Sequence, residues 1–316
     1  MPVARRSHLF AVLSLAVIAF IWAGGFPATK YCLQAGLSVG ALLSIRFAIG
    51  TAGLGLMLLL LQVPLRRRDV LDGLLLGLVL VTLFWLQTDG LRFTTTSKSG
   101  FVTGLYVIFT PIVALLVGDR LRPSHGLGAL VAVLGLALLV REPGSAWGGW
   151  NRGDSETLLA AGLCGFHIVM TAHFSRRSSA WVLAFMQVAV TGIVSLAITL
   201  ALPFPFGFQG AGPALGQGGV WVALVFMGLL ATTLAFYVQS TMQSRLGSTE
   251  TAILFSSEPV WTALLAMSGW IPGIREQLTP SQLAGGGLIL AATLVAELGP
   301  RLLRRLAPIE AEETLG

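Results

Sequence analysis

Charge is scarce in this sequence. Charged residues make up 11% of its 316 residues and apolar residues make up 55%, and the mean hydropathy is +0.82. Ordinary soluble domains carry about 25% charged residues, so this composition excludes the soluble classes. We therefore predict an all-α polytopic membrane protein. The net charge of +6 is attributed to loop arginines that set the topology, and no nucleic-acid partner is expected.

Motifs for metal, nucleotide or covalent chemistry are also missing. The two cysteines, Cys32 and Cys164, belong to no Cys/His ligand pattern, so no metal site, cofactor or disulfide framework is predicted. The histidines form no HExxH pattern and the chain has no GxSxG, which argues against a polytopic membrane enzyme. The only lysines, Lys30 and Lys98, lie outside any GxxxxGK[ST] loop, which argues against an ATP-driven pump. We expect no enzyme activity.

Long apolar runs fill most of the chain. Ten segments have the length and composition of a membrane-spanning helix, which needs roughly 20 apolar residues. They cover about residues 9–29, 39–61, 71–91, 97–117, 126–140, 156–174, 181–202, 220–239, 248–270 and 282–298. The predicted division is a tail over 1–8, a first repeat over 9–140, a linker over 141–155, a second repeat over 156–298 and a tail over 299–316.

The repeat is visible in two similar stretches. Asp119 begins DRLRPSHGLGALVAVLGLALL and Glu276 begins EQLTPSQLAGGGLILAATLV, with acid, Leu, Pro and Ser at matching places. Negative charge stabilises helix N-termini, so we expect each acid to cap the helix that follows it. Five helices is an odd number, so the second half should enter the membrane with inverted orientation. Substrate sites of such proteins typically lie near the midplane between the repeats.

Lysines and arginines predict the orientation. With a cytoplasmic N-terminus, the inside segments hold thirteen arginines, including Arg301, Arg304 and Arg305, and the outside segments hold six lysines and arginines. Cytoplasmic loops carry an excess of these residues. Both termini are therefore predicted to be cytoplasmic.

Prolines and one carboxylate interrupt the apolar helices. The ninth segment carries Glu258 and Pro259 near its middle. A charge at that depth costs about 2.5–3.5 kcal/mol, so Glu258 should face protein or an aqueous cavity. Proline cannot donate to the carbonyl of Phe255, so the helix should open there. Pro111 in the fourth segment and Pro27 in the first are also predicted to break their helices, with Pro111 matched to Pro259.

Aromatic and ionisable side chains within the segments are the candidate substrate ligands. Each also has a structural explanation: belt or packing aromatics, a packing histidine, a snorkelling arginine, an interfacial aspartate or a carboxylate bonded to a neighbouring helix. A cavity lined by such groups suits an organic zwitterion or a cationic aromatic molecule. The candidates are Trp22, Arg46, Trp85, Asp89, Tyr106, His167, Tyr237, Glu258 and Trp261.

In these features the chain resembles the drug/metabolite transporter (DMT) superfamily, and specifically the EamA-type transporters with two five-helix repeats. The resemblance covers about residues 9–298. It is carried by Trp22 to Pro27, Arg46-Phe47, Thr110-Pro111, Glu258-Pro259 and the acid-x-Leu-x-Pro-Ser turns at Asp119 and Glu276. Asp119 departs from the pattern, because the family usually has Glu there, and the connections before the two turns differ in length.

The resemblance implies a secondary active or facilitative carrier in the cell (inner) membrane. It would often be an exporter of small organic metabolites such as amino acids, or of drugs, and would work by alternating access. If transport is coupled to protons, Glu258 is the first candidate carrier, because burial disfavours its charged form. A lipid or lipid-carrier flippase on the same fold is the alternative. The expected partners are a small-molecule substrate and membrane lipids.

Overall fold

The computed structural model describes residues 2–119, 123–140, 150–277 and 279–292, and within these ranges every regular element is a helix. The first half contains α1 (Pro2–Gln34), α2 (Val39–Leu60), α3 (Arg67–Gly90), α4 (Thr96–Thr103), α5 (Tyr106–Leu116) and α6 (Pro123–Val140). The second half begins with α7 (Arg152–Phe174), α8 (Ala180–Ala201), the short α9 (Ala211–Leu215) and α10 (Gly218–Val225). It continues with a π-helix (Phe226–Leu234), α11 (Ala235–Met242), a 3₁₀ turn (Gln243–Arg245), α12 (Ser248–Phe255), α13 (Glu258–Ser268) and α14 (280–292).

Seven stretches of the described chain are long and apolar enough to span a membrane. They are Ser7–Gln34, Val39–Leu60, Arg67–Gly90, Thr96–Leu116, Arg152–Phe174, Ala180–Ala201 and Gly218–Arg245. The remaining three predicted spans correspond to α6, to α12 with α13, and to α14, so the count of ten stays a prediction. The linker residues 141–149 and the C-terminal arginines lie outside the described residues, as does the end of the tenth predicted segment.

Several helices of one half pack directly against helices of the other. Helices α2 and α3 lie against α8, α3 and α5 lie against α7, and α1 lies against α11, α12 and α13. Glycines allow the closest approach, because a Cβ atom on Gly73 would lie 2.5 Å from Cβ of Met186, and one on Gly77 would lie 2.6 Å from Cβ of Val190. The apolar core therefore lies between the halves.

Among the described residues, each half contains a helix that is broken in the same way. Eight residues of α4 are followed by Gly104 and Leu105 and then by eleven residues of α5. Likewise, eight residues of α12 are followed by Ser256 and Ser257 and then by eleven residues of α13. At matched places, the Leu105 N–H donates to the carbonyl three residues before it, as does the Ser257 N–H. This alignment pairs Tyr106 with Glu258.

The prolines differ from the sequence prediction. Pro259 lies in the first turn of α13, directly after the break. Its matched residue is Val107, so the pairing of Pro111 with Pro259 was wrong, and Pro111 lies inside α5 after the break in its own half. Pro27 does not break its helix, since α1 continues through it to Gln34.

The continuity of α1 has a local cause. Proline at position 27 removes the N–H that would otherwise bond to the carbonyl of Ala23. That carbonyl instead accepts a hydrogen bond from Thr262 Oγ1 of α13, at 3.4 Å. A hydroxyl from a neighbouring helix thus satisfies the group that the proline leaves free, and the helix need not open.

The repeated acids cap the opposite half. Glu276 accepts from the backbone N–H groups of Thr96 (2.8 Å) and Ser97 (3.0 Å) at the start of α4. Asp119 accepts from Ser248 Oγ at the start of α12, at 3.1 Å. The prediction that Glu276 caps its own following helix was wrong, because Thr279 takes that place with Gln282 in a reciprocal pair of hydrogen bonds. Each acid therefore joins one repeat to the broken helix of the other.

Candidate functional site

A cavity of about 80 Å³ lies between the halves, beside the two helix breaks. One water needs roughly 10–15 Å³ by this measure, so the cavity is large enough for several waters and would have to widen for a metabolite. Its walls come from α1, α2, α3, α7, α11 and both broken helices. The lining residues are Trp22, Gly25, Phe26, Thr29, Arg46, Leu80, Leu83, Phe84, Gln87, Thr88, Leu91, Thr103, Tyr106, Cys164, His167, Ile168, Phe236, Gln239, Phe255 and Glu258.

Five of the nine predicted ligands line this cavity, and they are Trp22, Arg46, Tyr106, His167 and Glu258. The other four lie elsewhere. On α3, the stripe that faces the cavity is formed by Leu80, Leu83, Phe84, Gln87, Thr88 and Leu91, with the spacing of one helical face. Trp85 and Asp89 belong to the neighbouring face. The prediction that Trp85 and Asp89 face the cavity was therefore wrong.

Trp85 and Asp89 have other partners. Trp85 donates from Nε1 to Ser195 Oγ on α8, at 3.0 Å. Asp89 is buried at the end of α3 and forms ion pairs with Arg92 at 2.7 Å and Arg152 at 2.8 Å. Its contacts tie α3 to the start of α7, and it does not pair with Arg46. These contacts explain both side chains structurally.

Tyr237 and Trp261 also point away from the cavity. Tyr237 stacks on Trp181, with ring centroids 3.7 Å apart. The π-helix that precedes α11 changes the register, so Phe236 and Gln239 face the cavity in place of Tyr237. Trp261 contacts Phe20 edge-to-face, with ring centroids 5.6 Å apart.

Glu258 is the carboxylate of the cavity. It is buried at the first residue of α13, and its Oε2 accepts from the hydroxyl of Tyr106, at 3.3 Å. Tyr106 is the first residue of α5, so the matched residues of the two halves meet here. In the described part of the chain, no Lys, Arg or His forms an ion pair with Glu258.

Arg46 is the cation of the cavity and is also buried, with 4% of its surface exposed. Its Nε donates to Thr232 Oγ1 at 3.1 Å. Its guanidinium carbon lies 4.6 Å from the ring centre of Phe84 and 5.3 Å from that of Phe47. These contacts hold the side chain by cation–π attraction. Among the described residues, no carboxylate pairs with it.

His167 joins the cavity to α8. Its Nε2 lies 2.8 Å from Oε1 of Gln187, and the amide nitrogen of Gln187 donates to Ser240 Oγ at 3.4 Å. An amide oxygen only accepts, so Nε2 carries the ring proton in this arrangement. The ring is therefore held in one orientation at the cavity wall, with its edge against Phe236.

The family of this chain follows from its similarity to known proteins. The profile of the EamA-like transporter family matches residues 9–141 and 151–297. The chain belongs to the EamA-like transporter family. An uncharacterized transporter of Archaeoglobus fulgidus is 31% identical over 293 residues, which cover 92% of this chain and 87% of that protein.

The fold has a counterpart among solved structures. One crystal structure aligns with a TM-score of 0.70 and 22% identity, over 96% of this chain and 99% of that chain. The two stretches that match the family profile confirm the predicted family and the two-repeat organisation of this EamA-like protein. The family places the chain among membrane transporters rather than enzymes, as predicted.

Several cavity residues of this EamA-like transporter were missed in the sequence. Gln87, Thr103 and Gln239 supply uncharged hydrogen-bonding groups to the cavity wall. Gln87 could have been found, because it lies on the same face of α3 as Leu80 and Phe84. Gln239 could not, since the π-helix before it shifts the periodicity on which such an inference depends.

Proposed function

We propose that this protein is a secondary transporter for small organic zwitterions, such as amino acids, and that the central cavity is its substrate site. The observation that carries this proposal is the pair of opposite charges in one cavity, Arg46 and Glu258. Each is buried, and neither has an ion-pair partner among the described residues.

The chemistry favours a substrate that brings both charges. A buried charge is stable only when it is paired or well hydrogen-bonded. A substrate carboxylate on the guanidinium of Arg46 and a substrate ammonium on Glu258 would complete both pairs. Trp22 and Phe84 also line the cavity and offer aromatic surface for an apolar side chain of the substrate.

The repeats supply the mechanism that we propose. The cavity lies where both helices break, so its walls belong to both halves, and rocking of one half against the other would expose it to each side of the membrane in turn. Export from the cytoplasm, an inner-membrane location and cytoplasmic termini complete the proposal. Protonation of Glu258 would couple transport to the proton gradient, because it removes the charge that holds the substrate ammonium.

The test is uptake into proteoliposomes of labelled amino acids, of the amines that lack their carboxylate and of small cations, at two pH gradients. The wild type is compared with Glu258→Gln, Arg46→Gln and the control Glu156→Gln. Glu156 lies on α7 and pairs with Arg152 at 2.6 Å, outside the cavity lining. We expect saturable, gradient-driven uptake of amino acids by the wild type and the control, and at least a tenfold loss in the two cavity variants.

The other outcomes are equally informative. Equal, gradient-independent uptake by the wild type and Glu258→Gln would make Glu258 structural and the protein a facilitator. Uptake of amines in preference to amino acids would show that Arg46 does not bind a substrate carboxylate. If no water-soluble compound is taken up, lipid scrambling in the same vesicles tests the flippase alternative.

A further inference from the structure

Three helices continue their cavity-lining faces by one turn beyond the cavity, toward the end of the molecule that carries Glu250. On α7, Cys164 and His167 line the cavity, and Thr171 follows on the same face. On α11, Phe236 and Gln239 line the cavity, and Gln243 follows in the 3₁₀ turn. The spacing of three and four residues keeps each set on one face of its helix.

The third helix shows the same arrangement in the opposite chain direction. Phe255 and Glu258 line the cavity, and Thr251 lies one turn earlier on α12. Helix α7 contacts both α12 and the 3₁₀ turn, so the three extensions adjoin one another. The side-chain nitrogen of Gln243 donates to the carbonyl of Ile168 on α7, at 2.5 Å. This bond fixes the amide, and its oxygen is left facing away from that carbonyl.

The added residues share an unusual property. Thr171, Gln243 and Thr251 are fully buried, and each has a side-chain oxygen without a hydrogen-bond partner in the part of the chain that the structure describes. The same holds for Oε1 of Gln239 at the cavity wall. Folded proteins rarely leave buried polar atoms unpaired, because desolvation is then not repaid. Four of the eight such atoms in the described chain lie at the cavity wall or on these three extensions of it, and they are explained if water and substrate reach them in another state.

We propose that Thr171, Gln243 and Thr251 line a second, polar part of the transport pathway, which is closed in this structure and opens toward the Glu250 end. Its chemistry is uncharged, with oxygen acceptors that suit water and the ammonium or hydroxyl groups of a passing substrate. The contact between His8 and Glu250, at 3.3 Å, joins α1 to α12 at that end. The proposal rests on the proposed carrier function but not on the choice of substrate.

The test is the reaction of introduced cysteines with a charged thiol reagent, 2-(trimethylammonium)ethyl methanethiosulfonate. Thr171→Cys and Thr251→Cys are made with Cys32 and Cys164 replaced by Ala. The control is Thr199→Cys on α8, where the buried hydroxyl donates to the carbonyl of Ser195. We expect reaction rates at positions 171 and 251 at least tenfold above the rate at 199. Rates equal to that of the control would overturn the proposal.

Valine substitutions provide the second measurement. Thr171→Val and Thr251→Val remove hydroxyls that have no partner, so the midpoint of thermal unfolding should stay or rise, whereas Thr199→Val should lower it. A fall at 171 and 251 as large as that at 199 would show that these hydroxyls are bonded, and would overturn the proposal. Labelling needs no substrate, so failure of amino-acid uptake with rapid labelling would reject the substrate class alone. Uptake without labelling would reject the pathway alone.

Discussion

The two broken helices have the same backbone and different side chains. At matched positions, Tyr106 stands opposite Glu258, Val107 opposite Pro259 and Lys98 opposite Glu250. The helix lengths on each side of the break agree, and so do the hydrogen bonds across it, except for the bond from the Val107 N–H, which Pro259 cannot make. The ionisable groups differ completely. Repetition has thus kept the geometry of the break in both halves, while among the described residues only the second half supplies the cavity with a carboxylate.

The local means of breaking the helix also differ between the halves. In the second half, Ser256 and Ser257 turn their hydroxyls back to carbonyls three residues earlier, at 2.6 and 2.9 Å, and Pro259 follows. Such back-bonding competes with the helical pattern. The first half has Gly104 at the break and no proline in the following turn. Both halves therefore form the break with different local sequences, and proline is not required for it.

The largest expected difference between the halves concerns positions 98 and 250. Lys98 forms an ion pair with Asp154 at 2.9 Å, with side-chain exposures of 10% and 0%. Asp154→Ala would leave a buried charge, so we expect unfolding in detergent to become easier by about 3–5 kcal/mol. At the matched place, the Glu250 side chain is 10% exposed, but its partner His8 is 33% exposed, so water can solvate the side chain that Glu250→Ala leaves behind. Glu250→Ala also loses a weak bond from the Gly247 N–H, at 3.4 Å, and should cost about 1 kcal/mol.

Denaturant titrations of the purified variants measure this difference. Asp154→Asn is the companion variant, since it keeps the size of the side chain and one acceptor for Thr94 and still removes the charge. Similar free energies of unfolding for Asp154→Ala and Glu250→Ala would contradict this prediction. They would show that the Lys98–Asp154 and His8–Glu250 contacts contribute equally to stability despite the different exposure of Lys98 and His8.

The next difference concerns the two acids that join the repeats. Glu276 holds two backbone N–H groups of α4, whereas Asp119 holds a single hydroxyl of Ser248. Glu276→Gln loses one charge-assisted bond and the favourable interaction with the helix N-terminus, so we expect a cost of about 1.5–3 kcal/mol. Asp119→Asn keeps an oxygen acceptor and should cost less than about 1 kcal/mol. Thermal unfolding of both variants measures the two losses of stability. Equal losses would mean that Glu276 and Asp119 stabilise the starts of α4 and α12 to the same extent.

The contacts of the two acids show which features could be predicted from the sequence and which could not. Apolar segments, the repeat and the burial of Glu258 followed from composition and spacing, because these depend on the chain itself and on the cost of charge in a membrane. The acid turns at Asp119 and Glu276 were recognised as a motif, but their partners were not. A cap that reaches across the repeats depends on tertiary packing, which no local pattern records.

The cavity side chains divide in the same way. Trp22, Arg46 and His167 were found because large or ionisable groups inside apolar segments are conspicuous. The prediction that Trp85 lines the cavity was wrong, because periodicity shows which residues share a helix face but not which face meets the cavity. The prediction that Tyr237 lines the cavity was wrong, because the π-helix before α11 changes which residues of α11 face the cavity.

The smallest expected effects test the break itself. Pro259→Ala should change the free energy of unfolding by less than about 1 kcal/mol, because Val107 shows that the same backbone forms without proline. Val107→Pro removes one hydrogen bond, from the Val107 N–H to the carbonyl of Gly104 at 3.1 Å, and should cost about 0.5–1.5 kcal/mol. The control Val113→Pro lies inside α5, where proline costs about 3 kcal/mol or more. If Val107→Pro cost as much as the control in the same unfolding assay, position 107 would lie in an ordinary helix, and the likeness of the two halves would end at their lengths.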